Sequence, residues 1–204
     1  MLQTRSVYPN TLELLKVLMK EPLLSNHFLV GGTSLALQMG HRFSVDLDLF
    51  SHSEFEAEVL LEMFEKNFKV QPLTVTNTIF ISVVDGVKVD CVRFRYPFSF
   101  PIIETNDIRL ADIRDVAPMK LDAVAKRGSK KDFFDMYYLF ERFSPQEIMN
   151  WYQIMFKHET AFHVIRSLIY FDDAEETEDP VMFDKNVNWK NVKKRMVEIV
   201  KQNF

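Results

Sequence analysis

The chain has 204 residues, of which 47% are hydrophobic and 26% charged, the balance of an ordinary globular protein with room for one core or for a core and a smaller helical domain. Its net charge of −4 gives no bulk signal for nucleic-acid binding, so such binding must depend on a local basic patch. The single cysteine, Cys91, excludes an intramolecular disulfide framework and a cysteine-cluster zinc site, and it fits a reducing cytosol. The sequence shows neither a signal-peptide pattern nor a run of ~18 apolar residues, so we expect a cytoplasmic protein without a membrane span.

The amino-terminal segment predicts one helix and one short strand. Leucines recur at helical spacing in residues 9–20, and Pro22 follows as a stop. After a turn, the apolar residues 28–30 predict a strand.

A glycine-rich turn follows this strand. Gly31 and Gly32 precede two hydroxyl residues, Thr33 and Ser34, and the helix that we predict to open at Thr33 ends at Gly40. Glycines let backbone N–H groups approach a phosphate closely, and a helix N-terminus favours anions. The turn therefore predicts a phosphate-binding cradle.

A second predicted strand, residues 45–50, carries Asp46 and Asp48 with one residue between them. Alternate residues of a strand point to the same face, which separates the two Cβ atoms by roughly 6–7 Å. Such a pair suits two divalent cations about 3.5–4 Å apart. We therefore predict a metal site on this strand.

Residues 51–95 predict a helix followed by three strands. Ser53 and Glu56 have the spacing of a capping box and indicate a helix start. Asp85 and Gly86 form a strong hairpin-turn signal. The predicted helix covers residues 53–67, and the strands cover residues 69–76, 79–84 and 87–95.

Asp90 lies in the middle of the last of these strands, flanked by Val89 and Cys91. Aspartate is depleted in strands, so an interaction should stabilise it there. A metal shared with Asp46 and Asp48 would do so.

The chain becomes helical after about residue 107. Residues 108–111 predict a short edge strand, and Ser144 to Glu147 form a near-ideal helix start. We predict an α+β fold in which residues 1–107 form a domain of mixed sheet and flanking helices and residues 108–204 form a helical domain. The helices of the second domain are predicted at residues 112–127, 131–142, 145–157, 161–171 and 188–202.

The spacing of these features resembles the signature of the nucleotidyltransferase-fold superfamily, the polymerase-beta-like enzymes. That signature is a glycine turn, a gap of about a dozen residues, an Asp-x-Asp strand and a later strand aspartate. Here Gly31 and Gly32 are followed by Asp46 and Asp48, and then by Asp90.

Two longer blocks resemble one family within it, the AbiEii/AbiGii nucleotidyl transferase toxins. The first contains GGTSLAL from Gly31, GHR from Gly40 and SVDLDLF from Ser44. The second is DVAPMKLDAVAKRGSKKDFFDMYYL from Asp115. Both occur in the family's order, and the resemblance covers about residues 25–142.

The resemblance implies transfer of a nucleoside monophosphate from an NTP to a hydroxyl, with two Mg²⁺ ions and release of pyrophosphate. It favours RNA as the acceptor, with tRNA first, and leaves a protein side chain as another option. It also implies a toxin with a cognate antitoxin or in an abortive-infection pair. The implied metal ligands and catalytic acids are Asp46, Asp48 and Asp90. The implied nucleotide contacts are Gly31, Gly32, Thr33, Ser34, Arg42 and Lys120. Lys120 and Asp132 would act from the helical domain across the nucleotide cleft.

Several of these residues also have structural interpretations. Lys120 can extend from a core helix to solvent, and Arg42 can simply flank the aspartate strand. Asp132 can cap a helix, Asp135 can pair with Lys131, and either acid can be the functional one.

Two other functions keep the fold. A nucleotidyltransferase for a small molecule of the antibiotic type predicts an acidic acceptor pocket and no RNA binding. A non-catalytic NTP-binding regulator predicts the loss of a metal ligand, whereas all three aspartates are present.

Overall fold

Residues that alternate between apolar and polar in the N-terminal half form one β-sheet. The computed structural model describes residues 1–157 and 160–204, and within them the sheet has seven strands. They are β1 (Phe28–Leu29), β2 (Leu47–Ser51), β3 (Val70–Thr76), β4 (Ile79–Val84), β5 (Val87–Arg93), β6 (Ile103–Thr105) and β7 (Ile108–Leu110). Their order is β3-β4-β5-β2-β1-β7-β6. The pairs β2–β5 and β1–β7 are parallel, and the other neighbours are antiparallel.

The two faces of the central strands differ in burial. Leu47, Leu49 and Cys91 are at most 1% exposed and belong to the hydrophobic core. Asp48 and Asp90 point to the opposite face and are half-buried. At these positions one face therefore stabilises the sheet by apolar burial, and the other carries half-buried acids.

Tight turns connect the hairpins of the sheet. The predicted turn at Asp85 and Gly86 is confirmed, since both residues have positive φ (46° and 84°). A second turn at Asn106 and Asp107 (φ 54° and 62°) joins β6 to β7 and was not predicted, because it contains no glycine. The prediction that residues 108–111 form an edge strand is wrong: β7 pairs with both β1 and β6, and β6 is the edge.

The helices confirm the α+β fold class. The Ser144–Glu147 capping box is present in both directions. The box predicted from Ser53 is wrong: α3 begins at Ala57, and the Ser53 N–H instead donates to the Ser51 hydroxyl (3.0 Å) in a turn after β2. The helices are α1 (Pro9–Leu18), α2 (Gly31–Met39), α3 (Ala57–Asn67), α4 (Ile113–Lys126), α5 (Lys130–Arg142), α6 (Pro145–Met155), α7 (Ala161–Ser167), α8 (Asp172–Glu175) and α9 (Trp189–Asn203).

The chain divides into two units. The sheet unit comprises Met1–Gly40, Ser44–Pro97 and Pro101–Asp112, and the helical unit comprises His41–Phe43, Phe98–Phe100 and Ile113–Phe204. Two short segments of the N-terminal half thus belong to the helical unit. None of the helices in the described residues combines the length and the apolar character that a membrane crossing requires.

Candidate active site

The turn between β1 and α2 lies directly against the carboxylate of Asp48. Gly31 has a φ of +67°, and a Cβ atom at this position would lie 2.1 Å from Asp48 Oδ2. Only glycine tolerates both the backbone conformation and this close approach. The Val30 N–H also donates to the Asp48 carbonyl (2.9 Å). The glycine turn and the aspartate strand are therefore neighbours in space.

Helix α2 begins at Gly31, two residues before the predicted start at Thr33. The reason is that the Ser34 N–H donates to the Val30 carbonyl (3.3 Å), which closes a first turn over the two glycines. The N–H groups of a first turn lack acceptors within their own helix, so they are available to an anion. The half-buried Gly31 and Gly32 carry two of these groups.

The two hydroxyls that were predicted to bind phosphate are buried and bonded within the protein. Thr33 is 1% exposed, donates to the Asp46 carbonyl and lies 2.8 Å from the Ser44 hydroxyl. Ser34 is fully buried and accepts from the Gln38 amide (3.0 Å). A phosphate cradle at this turn would therefore consist of backbone N–H groups, since the hydroxyls are bonded within the protein.

Asp48 and Asp90 form an acid pair on neighbouring parallel strands. They are direct partners in the register of β2 and β5, so their side chains leave the same face of the sheet side by side. The Lys88 ammonium, on the same strand face, donates to both oxygens of Asp90 (2.7 and 2.5 Å). The electrostatic stabilisation that a mid-strand aspartate was expected to need thus comes, at Asp90, from a lysine.

Asp46 lies just outside the strand that was predicted to carry it. Strand β2 begins at Leu47, and Asp46 is the half-buried residue before it. The Thr33 hydroxyl holds its carbonyl. Asp46 therefore lies in the segment that leads into β2, and the first turn of α2 fixes its backbone.

The chemistry of these donors fits a magnesium site. Carboxylate oxygens are the protein ligands that Mg²⁺ prefers, and the three aspartates supply oxygen donors only. Over residues 1–157 and 160–204, no group of three or more histidine, cysteine or acidic side chains is already arranged to hold an ion. The chemistry of the donors therefore suits Mg²⁺, whereas the described side chains are not arranged as a site for it, and Lys88 bonds one of the carboxylates.

A second group of charges lies in the helical unit and is centred on Asp135 of α5. Arg42 binds the Asp135 carboxylate through two nitrogens, with distances of 2.6 Å from Nε and 2.9 Å from Nη2. His41 Nε2 is 2.7 Å from the same carboxylate. Asp135 is fully buried and Arg42 is 4% exposed. A bidentate arginine of this kind makes the strongest sort of buried ion pair.

Asp132, one helical turn before Asp135, completes this group. The Lys120 ammonium of α4 donates to Asp132 (2.9 Å) and lies 2.8 Å from Asp135. Arg127 adds two donors to Asp132, both at 2.8 Å, and the Ser129 hydroxyl adds a third at 2.6 Å. We call Arg42, Lys120, Asp132 and Asp135 the ion cluster.

Burial and mutual attraction together set the charge states in the ion cluster. Burial alone would raise the pKa of Asp135, but Arg42 and Lys120 outweigh it and hold that pKa well below its ordinary value. Burial likewise opposes ionisation of Asp132, and Lys120 with Arg127 lowers its pKa. The two carboxylates in turn outweigh burial and raise the pKa of Lys120. All of these groups are therefore charged at neutral pH.

The sequence-predicted residues thus fall into two groups. The sheet unit brings together Gly31, Gly32, Asp48 and Asp90, with Asp46 beside them. The helical unit brings together Arg42, Lys120 and Asp132. Sequence reasoning missed Lys88, whose alternation with Asp90 was a usable signal, and it did not predict that Asp135 bonds Arg42, for which no local signal exists.

The mixed sheet, the glycine turn against Asp48 and the acid pair define a nucleotidyltransferase. The chain belongs to the family described as nucleotidyl transferase AbiEii toxin, type IV TA system, whose model matches residues 13–202. An uncharacterized protein of Aquifex aeolicus (strain VF5) is 31% identical over 186 residues, which are 88% of this chain and 89% of that protein. The family resemblance found in the sequence is confirmed.

Two solved structures share the fold. MenT4, a nucleotidyltransferase toxin of Mycobacterium tuberculosis H37Rv, superposes with a TM-score of 0.60 at 16% identity and covers 93% of this chain and 83% of its own. JHP933 from Helicobacter pylori has a TM-score of 0.59 at 17% identity, and the match covers 96% of this chain and 92% of JHP933. At such low identity the likeness extends to the fold.

Proposed function

We propose that the protein is a magnesium-dependent enzyme that transfers a nucleoside monophosphate from an NTP to a hydroxyl of RNA, with tRNA favoured, and that it acts as the toxin of a toxin–antitoxin pair. The observation that carries the proposal is the acid pair. Asp48 and Asp90 are adjacent on parallel strands, and the Gly31 backbone lies against the Asp48 carboxylate. A phosphate at the glycine turn therefore lies next to two carboxylates.

Each group in the sheet unit has a distinct role in this mechanism. The first-turn N–H groups of α2 bind the triphosphate and offset its charge. Asp46, Asp48 and Asp90 would hold the metal. Bound Mg²⁺ supplies charge neutralisation of the phosphates and a lowered pKa of the acceptor hydroxyl.

The reaction needs no reactant other than the NTP and the acceptor hydroxyl. The acceptor oxygen forms a bond to the α-phosphorus of the NTP, and the bond from that phosphorus to the bridging oxygen breaks. Pyrophosphate leaves, and the hydroxyl proton passes toward Asp90. The half-buried setting of Asp90 lets this proton reach solvent.

The ion cluster acts in this proposal mainly by positioning. A phosphate that binds Lys120 must compete with two carboxylates for the same buried ammonium. Direct nucleotide contacts by Lys120 and Arg42, and a catalytic role for Asp132, stay predictions from the family resemblance. Kinetics of Lys120→Met test them: a direct contact raises the KM for NTP, whereas a positioning role lowers thermal stability first.

The deciding experiment incubates the purified protein with labelled NTPs, Mg²⁺ and total bacterial RNA. Label should enter tRNA with wild type and with Asp173→Asn, an exposed acid of α8, but not with Asp48→Asn. Gly31→Ala should behave like Asp48→Asn, because the added Cβ displaces that carboxylate. Label in a protein or small molecule but in no RNA overturns the RNA acceptor, and absence of transfer to any acceptor overturns the enzyme.

The toxin role has its own test. Induced expression of wild type should stop bacterial growth, and Asp48→Asn should relieve the arrest. Co-expression of the neighbouring gene should also relieve it. Growth that is unaffected by wild type at an expression level where extracts show transfer overturns this part of the proposal.

A further inference from the structure

A row of aromatic side chains continues the face of the sheet that carries the acid pair. Phe50 follows Asp48 by two residues on β2, so both point to the same face. The strand pairing extends past β5, because the Phe94 N–H donates to the Ser51 carbonyl (2.8 Å). Phe94 follows Asp90 by four residues and therefore shares its side of the strand.

The rings of this row contact one another. Phe50 and Phe94 have ring centroids 5.4 Å apart, and Phe94 and Tyr96 are also 5.4 Å apart. His52 lies 6.2 Å from Phe94 and 5.3 Å from Phe28, and one of its ring nitrogens lies 3.0 Å from the Phe94 carbonyl. We call Phe50, His52, Phe94 and Tyr96 the aromatic row.

The aromatic row keeps part of its surface in solvent. On the opposite face of the same strands Leu49 and Cys91 are fully packed, whereas Phe50 and Phe94 are only half-buried. Tyr96 is 37% exposed, and His52 is exposed. Aromatic residues are common at half-buried strand positions, and the surface that these rings keep in solvent is accessible to a ligand.

We propose that the aromatic row binds the bases of a single-stranded RNA end, an inference that rests on the proposed function and specifies its acceptor. The strand rise places Phe50 about 7 Å and His52 about 13 Å along β2 from Asp48. A terminal nucleotide with its hydroxyl at Asp90 thus brings its own base or the preceding one onto the row. Aromatic rings accept any base because every base has a π-face, so such a platform binds single strands with little sequence preference.

Charge at the end of β5 favours RNA over a protein partner. Arg95 is exposed beside the row, and Arg93 is held nearby by Glu54 (2.7 Å). Strand alternation places both side chains on the opposite side from Phe94, so they add positive charge at the end of the strand and do not face the rings. Arg93 is already paired with Glu54, so Arg95 is the cation that a phosphate beyond the end of the row would meet.

The test measures the affinity of the full chain for a short unstructured RNA carrying a 5′ fluorescein, by fluorescence anisotropy without NTP. Phe94→Leu and Tyr96→Leu should each raise the Kd about tenfold, because an aliphatic side chain cannot stack. Phe94→Tyr should retain wild-type affinity. The control is Tyr170→Leu, a 54% exposed tyrosine of the helical unit, and it should not change the Kd. Thermal melting confirms that each variant is folded.

Steady-state kinetics provide the second readout. The Leu variants should raise the KM for the RNA acceptor and leave the KM for NTP unchanged. If the Leu variants bind RNA as wild type does while Asp48→Asn abolishes transfer, the aromatic row is not the acceptor site and the proposed function stands. If wild type labels no RNA and binds none, both proposals fail together. Weakening by Tyr170→Leu equal to that by Tyr96→Leu also overturns the aromatic row.

Discussion

Two acidic regions of the molecule differ in the burial and in the partners of their carboxylates. In the ion cluster every carboxylate is completely buried and each is bonded to two or more cationic or hydroxyl groups. In the acid pair, Asp48 and Asp90 are half-buried, and Asp90 has a lysine partner that is itself 42% exposed. The first region is internally neutralised, whereas the carboxylates of the second keep part of their surface in solvent.

This difference separates structural charge from charge that is available for chemistry. A buried charge must find its partners within the protein, because desolvation is costly, and its removal leaves those partners unpaired. A half-exposed carboxylate pair retains electrostatic attraction for an ion that arrives from solution. The lowered pKa values of Asp132 and Asp135 therefore belong to the buried framework, and the acids that we propose for chemistry lie in the sheet unit.

The strongest test of this difference is to neutralise the carboxylate of Asp135. Asp135→Asn should lower the free energy of unfolding by about 3–5 kcal/mol, because Arg42 and Lys120 then remain buried without their shared carboxylate. Denaturant unfolding measures it. The control is Lys126→Gln, which removes a 60% exposed lysine from its pair with Asp122 and should change the same quantity by about 0.5 kcal/mol or less. Equal effects for the two variants would contradict the structural role.

Asp48→Asn should show the reverse pattern. Nucleotide transfer should fall about a hundredfold to a thousandfold, corresponding to several kcal/mol of lost metal stabilisation in the transition state. The free energy of unfolding should stay near that of wild type, because Asp48 is only half-buried. Single-turnover rates measure the loss of transfer, and denaturant unfolding measures the change in stability. A variant that loses stability but keeps its transfer rate would reverse the assignment.

A buried histidine of the sheet unit gives a third, smaller effect. Burial, with help from Arg109, lowers the pKa of His27 to about 4. The unfolded chain binds this proton near pH 6.5 and the folded chain does not, so stability falls as the pH drops from about 6.5 to about 4. The loss approaches about 3 kcal/mol.

His27→Phe removes this titration and should flatten the stability curve between pH 6.5 and 4.5. Burial also lowers the pKa of His41, so a smaller slope should remain. The carboxylates of the ion cluster contribute only below about pH 4, because their stabilising contribution is lost as the pH falls from the ordinary carboxyl pKa toward their lowered ones. Denaturant unfolding at several pH values tests this, and an unchanged slope in His27→Phe would refute it.

The smallest predicted effect concerns Lys88. Lys88→Met removes the ammonium that shares the Asp90 carboxylate, so Mg²⁺ should bind up to about fivefold more tightly, the range of a half-exposed ion pair. Calorimetric titration of the NTP-free protein with Mg²⁺ measures it. Lys194→Met, which changes a 78% exposed lysine, should leave the affinity unaltered. Weaker binding in Lys88→Met would show that the lysine supports the site.

Local chemistry made much of the fold predictable. The alternation in β4 and β5, the Asp85-Gly86 turn and the Ser144 capping box each depend on residues close in sequence, and all three were predicted. The error at Ser53 occurs where another acceptor lies nearby, and the error about the edge strand depends on the pairing of β7 with β6. The Ser53 N–H donates to the Ser51 hydroxyl, and the predicted cap does not form.

The family, the fold class and the components of the candidate site could be predicted from the sequence, because periodicity, turn residues and motif spacing are local properties. Which charges meet depends on the tertiary structure. The register of parallel β2 and β5 brings Asp48 beside Asp90, and the fold brings Arg42 to Asp135 across 93 positions of sequence. Spacing along a chain indicates which face a side chain occupies, but a partner on a distant element depends on packing. Packing therefore distinguishes an acid open to solvent from one neutralised in the interior.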